Sequence, residues 1–221
     1  EFEADELSNT RNRLDMVVQY LLSIGQGKLA IQVISLLTIP VEEAQTTEDG
    51  EQPFVSQKLE APIDIRLLDQ LLEDHLEELY DACGSLFIDT LEDRLQQCLE
   101  IVSDRFTDDI QTECAFKRPP MSARRNPRRL QDALIPTLET AIEQQISADP
   151  DAAEDRLQQY IDKGGVYWQI AVHLLSHQSA FAPQVVRSVL RPPINEDATR
   201  FRTGYLQLLS SGFSGLPESD Q

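Results

Sequence analysis

Apolar residues recur every three or four positions along nearly the whole of this 221-residue chain, and no stretch alternates convincingly between apolar and polar. That rhythm restricts the chain to amphipathic helices, which must bury their apolar stripes on one another. The first such stretch, "NTRNRLDMVVQYLLSI", carries Leu14, Val17, Val18, Leu21 and Leu22. The second carries Leu29, Ile31, Val33, Ile34, Leu36 and Leu37. Between them stands "GQGK". Gly25 is placed to supply the left-handed residue that closes the first helix, and Gly27 to permit a sharp reversal. The same glycines with Lys28 resemble a phosphate loop only superficially. That motif needs a glycine at position 22 and a hydroxyl after the lysine, where the chain has Leu22 and Leu29. The expectation is a helical hairpin.

Residues 40–62 are polar, hold three prolines and lack an apolar face, so they read as a linker or mobile loop. Helical periodicity resumes with Leu68, Leu72, Leu76, Leu79 and Cys83, and Gly84 is placed to stop that helix. Ile88, Leu91, Leu95, Cys98, Val102 and Phe106 line the next. Leu134, Leu138, Ala141 and Ile142 follow, with Pro136 expected to kink or delay their helix. Asp149-Pro150 reads as an N-cap followed by an N1 proline. "VYWQIAVHLLSHQ", with Tyr167 and Trp168, is apolar nearly all round and should be the most deeply buried helix. Asn195 is placed to cap a last helix, after a corner at Pro192-Pro193. Phe201, Tyr205 and Leu209 form that helix's stripe.

The hexapeptide "EDRLQQ" occurs twice, at 92–97 and 154–159. No fixed period survives a count, so the expected fold is all-α, an irregular α-solenoid of stacked helical hairpins. Its expected parts are an N-terminal hairpin over 1–39, the linker over 40–62, and a helical-repeat region over 63–221 with a basic loop at 114–129.

Composition narrows function. The formal net charge of −19 disfavours nucleic acid as a partner of the whole surface. No apolar run approaches the length of a membrane span, and no secretory signal opens the chain. Three widely spaced cysteines, Cys83, Cys98 and Cys114, form neither a disulfide framework nor a metal pair. A cytoplasmic setting is expected. The opening Glu1-Phe2 is a dipeptide that a common cloning site encodes, which suggests a piece of a longer protein.

Chemistry-bearing patterns are sparse. His173 and His177 lie four apart on one helix, but the zinc-protease pattern needs Glu where Leu174 stands, and no further ligand set accompanies them. A packed pair is the favoured reading. His75 lies on an acid-rich helix and should pair with a neighbouring carboxylate. No GxSxG elbow is present, and the acids of that helix read as a solvated face. No catalytic, cofactor-binding or metal residue is assigned. The one anomaly is the run from 117 to 129, with Lys117, Arg118, Arg124, Arg125, Arg128 and Arg129 and no acid among them. Arginines there could grip phosphate. The acidity of the chain favours instead a basic loop lying on an acidic body or against a neighbouring domain.

"LLEDHLEELYDACGSLFIDTLEDRLQQCLEI", then "VYWQIAVHLLSHQ", "APQVVRSVL" and "TGYLQLLSSGFSGLP", resemble in order and spacing the helical regions of large bacterial STAND-type NTPases and related antiviral conflict-system ATPases. The resemblance spans roughly residues 65–216. It implies a non-catalytic arm, sensor or oligomerisation region, with nucleotide-binding and effector domains elsewhere in the polypeptide. It also implies partners that are neighbouring domains or a phage protein. It carries no catalytic residue onto any position here.

Overall fold

The computed structural model describes residues 2–42, 59–103, 129–178, 180–190 and 202–212. The fold is all-α. Its helices are α1 (Phe2–Ser23), α2 (Gly27–Leu37), α3 (Ile65–Cys83), α4 (Ser85–Ser103), α5 (Leu130–Ala148), α6 (Pro150–Lys163), α7 (Gly165–His177), α8 (Pro183–Leu190) and α9 (Arg202–Gly212). A two-residue antiparallel ladder joins β1 (Val41–Glu42) to β2 (Leu59–Glu60), with Val41 opposite Glu60 and Glu42 opposite Leu59. It brings together the two ends of the stretch expected as a linker; residues 43–58 lie outside the described residues.

The chain divides into two compact units, with the boundary inside α5 between Ala141 and Ile142. In the first, α1 and α2 pack on each other and both pack on α3, while α4 packs on α2 and α3. Its core holds Val18, Ile31 and Ile34 from the hairpin, Leu68, Leu72 and Leu79 from α3, and Phe87, Ile88, Leu91, Leu95 and Cys98 from α4. In the second unit, α7 packs against α6 and α9, and α8 contacts both of those. Trp168, Ile170, Ala171, Val172 and Leu175 of α7 are almost wholly buried, as its all-round apolar sequence requires.

The helix ends follow the local chemistry. Gly25 has φ +71°, its N–H donates to the Leu22 carbonyl (3.0 Å), and the Gln26 N–H donates to the Leu21 carbonyl (2.8 Å). That bond pair is a Schellman motif, which only a residue without Cβ adopts at no steric cost. Asp64 caps α3, its Oδ1 accepting from the N–H groups of Arg66 (2.8 Å) and Leu67 (3.4 Å). Gly84 ends that helix, donating to the Tyr80 carbonyl. Asp149 caps α6 through a bond from the Ala152 N–H, with Pro150 at N1. Gly164 and Gly165, both at positive φ, turn the chain from α6 into α7.

Two expectations are corrected. Gly27 has no positive φ; it is the buried first residue of α2. Glycine is needed there for space, since a Cβ would stand 2.7 Å from Ala82 Cβ and 2.9 Å from Cys83 Sγ. Of the kink or delay expected at Pro136, the delay is overturned: α5 starts six residues before it, at Leu130, and runs through it. Asn195, Pro192-Pro193, Phe106 and Phe201 lie outside the described residues.

The repeated hexapeptide has a repeated role. In α4, Arg94 Nε donates to the Ser35 carbonyl of α2 (3.1 Å), and in α6, Arg156 Nε donates to Gln145 Oε1 of α5 (3.1 Å). Leu95 and Leu157, next in each copy, are fully buried. Gln96 then donates to Glu100 (3.1 Å), and Gln158 to Asp162 (2.9 Å), each four residues on. Each copy thus pins its helix to a preceding one by arginine, buries the leucine, and braces the exposed side with a Gln–acid pair.

Candidate functional site

The feature that stands apart from ordinary packing is the outer face of the α1–α2 hairpin. The inner face of α1 is Leu14, Val18, Leu21 and Leu22, with Val18 fully buried. On its opposite side Met16, Tyr20 and Ile24 recur every fourth residue, with Val17 beside them, all largely exposed; Tyr20 is 62% accessible. On α2, Ala30, Ile31 and Ile34 face inward, while Leu29 and Leu36 stand exposed, Leu36 at 63%. The expected stripes are corrected accordingly: Val17, Leu29 and Leu36 are not core residues. Of the ten large apolar residues exposed among the described ones, eight fall between Met16 and Val41. The charge of this surface is also unlike the rest. From residue 12 to 41 the chain carries only Arg13, Asp15 and Lys28. Arg13 and Lys28 are exposed, whereas Asp15 is turned toward α3 and meets His75.

His75 is almost fully buried on α3, and its carboxylate partner comes from another helix: Nε2 lies 2.8 Å from Asp15 Oδ1. The acid on its own helix, Glu78, is 3.7 Å from Nδ1, beyond hydrogen-bond distance. The "GQGK" corner builds no phosphate cradle, because the glycines are spent on the Schellman turn and on contact with α3.

His173 and His177 pack edge to face with ring centroids 4.4 Å apart. His177 Nδ1 donates to the His173 carbonyl (2.9 Å), an internal use of one ring nitrogen. Among the described residues no group of three or more His, Cys, Asp or Glu side chains is arranged to hold a metal ion. Burial pushes the Cys98 thiol up to about 12, so at neutral pH it stays protonated and is a poor nucleophile. Burial also raises the Cys83 thiol, against the opposing charge of Lys28. Cys114 lies outside the described residues.

Of the basic run, Lys117, Arg118, Arg124, Arg125 and Arg128 lie outside the described residues. Arg129 is exposed just ahead of α5, and its backbone N–H donates to Asp132 Oδ2 at 3.0 Å. No described helix is long and apolar enough to cross a membrane. No family model matches the chain, and neither a curated protein nor a solved structure matches it.

The sequence reading missed the hairpin's outer face. The signal is in the two helices themselves: α1 and α2 carry more apolar residues than one helix face can hold.

Proposed function

We propose that this chain is a non-catalytic interaction segment of a larger cytoplasmic protein, an irregular stack of helical hairpins serving as the sensor arm of an antiviral STAND-type NTPase. The observation that carries the reading is the outer face of the α1–α2 hairpin. Soluble proteins scatter single apolar residues over their surfaces, and a concentrated exposed apolar set marks a contact face. In a stack, each hairpin buries one face on the hairpin after it and offers the other to what comes before it. Here the inner face meets α3 and the outer one is open to a neighbouring domain or a protein partner, a phage component in the sensor reading. The helical pattern from about 65 to 216 supports the NTPase part of the proposal.

The test is to sequence the parent reading frame on both sides of Glu1 and Gln221. A phosphate loop and a Walker B acid in the same frame are the expected result. A start codon and a stop codon directly flanking the chain would overturn the arm reading.

A further inference from the structure

We propose that the outer face of the α1–α2 hairpin docks one kind of partner, an amphipathic helix whose apolar stripe is flanked by aspartate and glutamate. The inference rests on the reading of the chain as an interaction segment and names the partner class.

Three observations converge on it. The first is spacing. Met16, Tyr20 and Ile24 on α1, and Leu29 and Leu36 seven apart on α2, form stripes on two helices that pack against each other. Paired stripes of this kind accept the ridge of a third helix. The second is charge. The exposed charges of residues 12 to 41 are Arg13 and Lys28, in a chain with 38 acids and 19 bases. Arg13 lies three, four and seven residues before Met16, Val17 and Tyr20, hence on the same face, while Lys28 borders the α2 stripe, about a quarter turn from Leu29 and Leu36. A cationic, apolar face is complemented by an acidic, apolar helix. A second copy docking by the same face would oppose these cations to each other, while Asp15, the one acid of residues 12 to 41, is held by His75, which argues against a symmetric pair.

The third is precedent within the molecule. The hairpin's other face is already covered by a helix of the proposed kind. α3 packs on both α1 and α2, burying Leu68, Leu72, Leu76 and Leu79 while leaving Glu73, Asp74, Glu77 and Glu78 exposed.

The probe is a fluorescein-labelled peptide with the α3 sequence, Ile65–Cys83 carrying Cys83→Ser, titrated with the intact chain and read by anisotropy. Its comparison peptide has every Asp and Glu replaced by Asn and Gln. Saturable binding is expected for the acidic peptide at about 0.15 M salt, where charges beyond about 8 Å are screened and the local surface decides. The neutral peptide should bind several-fold more weakly. The double variant Tyr20→Ser/Leu36→Ser, which alters only exposed side chains, should bind about tenfold more weakly while melting like the parent. In a second variant, Arg13→Glu/Lys28→Glu, the preference for the acidic peptide should vanish.

Absence of saturable binding, equal binding of the two peptides, or unchanged binding by either variant overturns the proposal. So does sedimentation equilibrium showing a dimer that the Tyr20→Ser/Leu36→Ser variant dissolves, since the occupant is then a second copy. The reading-frame result is independent. An in-frame NTPase with no peptide binding overturns the partner class alone, and peptide binding without an NTPase domain overturns the arm reading alone.

Discussion

His75 Nε2 on α3 meets Asp15 Oδ1 on α1 at 2.8 Å, across sixty residues of sequence, and fastens the N-terminal hairpin to the helix beneath it. The imidazole is nearly inaccessible, so its polar edge depends on this one partner within hydrogen-bond distance. Asp15→Ala should therefore cost about 1–3 kcal/mol, the penalty for stranding a buried polar group. A double-mutant cycle with His75→Ala, followed by urea denaturation, should return a coupling energy of about 1 kcal/mol. Additive single effects would refute the fastening.

Gly27 abuts α3 with no room for a side chain. Gly27→Ala places a methyl group inside the contact distance of Ala82 and Cys83, which obliges α2 to shift. The expected loss is about 1–3 kcal/mol. The sign is informative, since alanine at an unconstrained helical position stabilises by up to about 1 kcal/mol. A midpoint that rises in chemical denaturation would show the contact to be looser than the geometry requires.

Arg94 binds the Ser35 carbonyl through Nε, the Ser35 hydroxyl through Nη2, and Gln97 Oε1 through Nη1 (2.7 Å). Ser35 lies in the last turn of α2, where carbonyls have no partner within the helix and a cation is favourable. Arg94→Met should cost about 1–2 kcal/mol. Arg94→Lys should recover little of it, because one ammonium does not reproduce the guanidinium fork. Full recovery in thermal melts would point to charge alone.

Asp69 supplies a pH dependence. Burial first, then the negative charges of Glu73 and Asp132, push its carboxyl up to about 6. The folded state then holds a proton that the unfolded chain has released, so this group lowers stability as pH rises from about 4 to about 6. Asp69→Asn should stabilise at pH 7 by roughly 1 kcal/mol, a figure discounted because the group is half-exposed and screened. Below about pH 4, where Asp69 is protonated in both states, the gain should disappear. Urea titrations of both proteins at pH 4 and 7 check it, and a gain equal at the two pH values would contradict the assignment.

Local sequence alone specified the class of fold and three of the helix ends, those at Gly25, Gly84 and Asp149-Pro150. Apolar recurrence every three or four residues follows from the helix's own geometry, so the buried stripes of α3, α4 and α5 were legible without a partner. Gly25, Gly84 and the Asp149-Pro150 cap act through bonds within a few residues of themselves, and they stand where their chemistry places them. Tertiary structure alone decided the rest. α1 and α2 are apolar on two sides, and periodicity does not say which side a neighbour covers; their packing on each other and on α3 and α4 leaves Val18, Ile31 and Ile34 buried and Tyr20 and Leu36 outside. Gly27's need for space and His75's choice of Asp15 over Glu78 likewise arise only when helices distant in sequence come together, because contact distances between such segments are written in no local pattern.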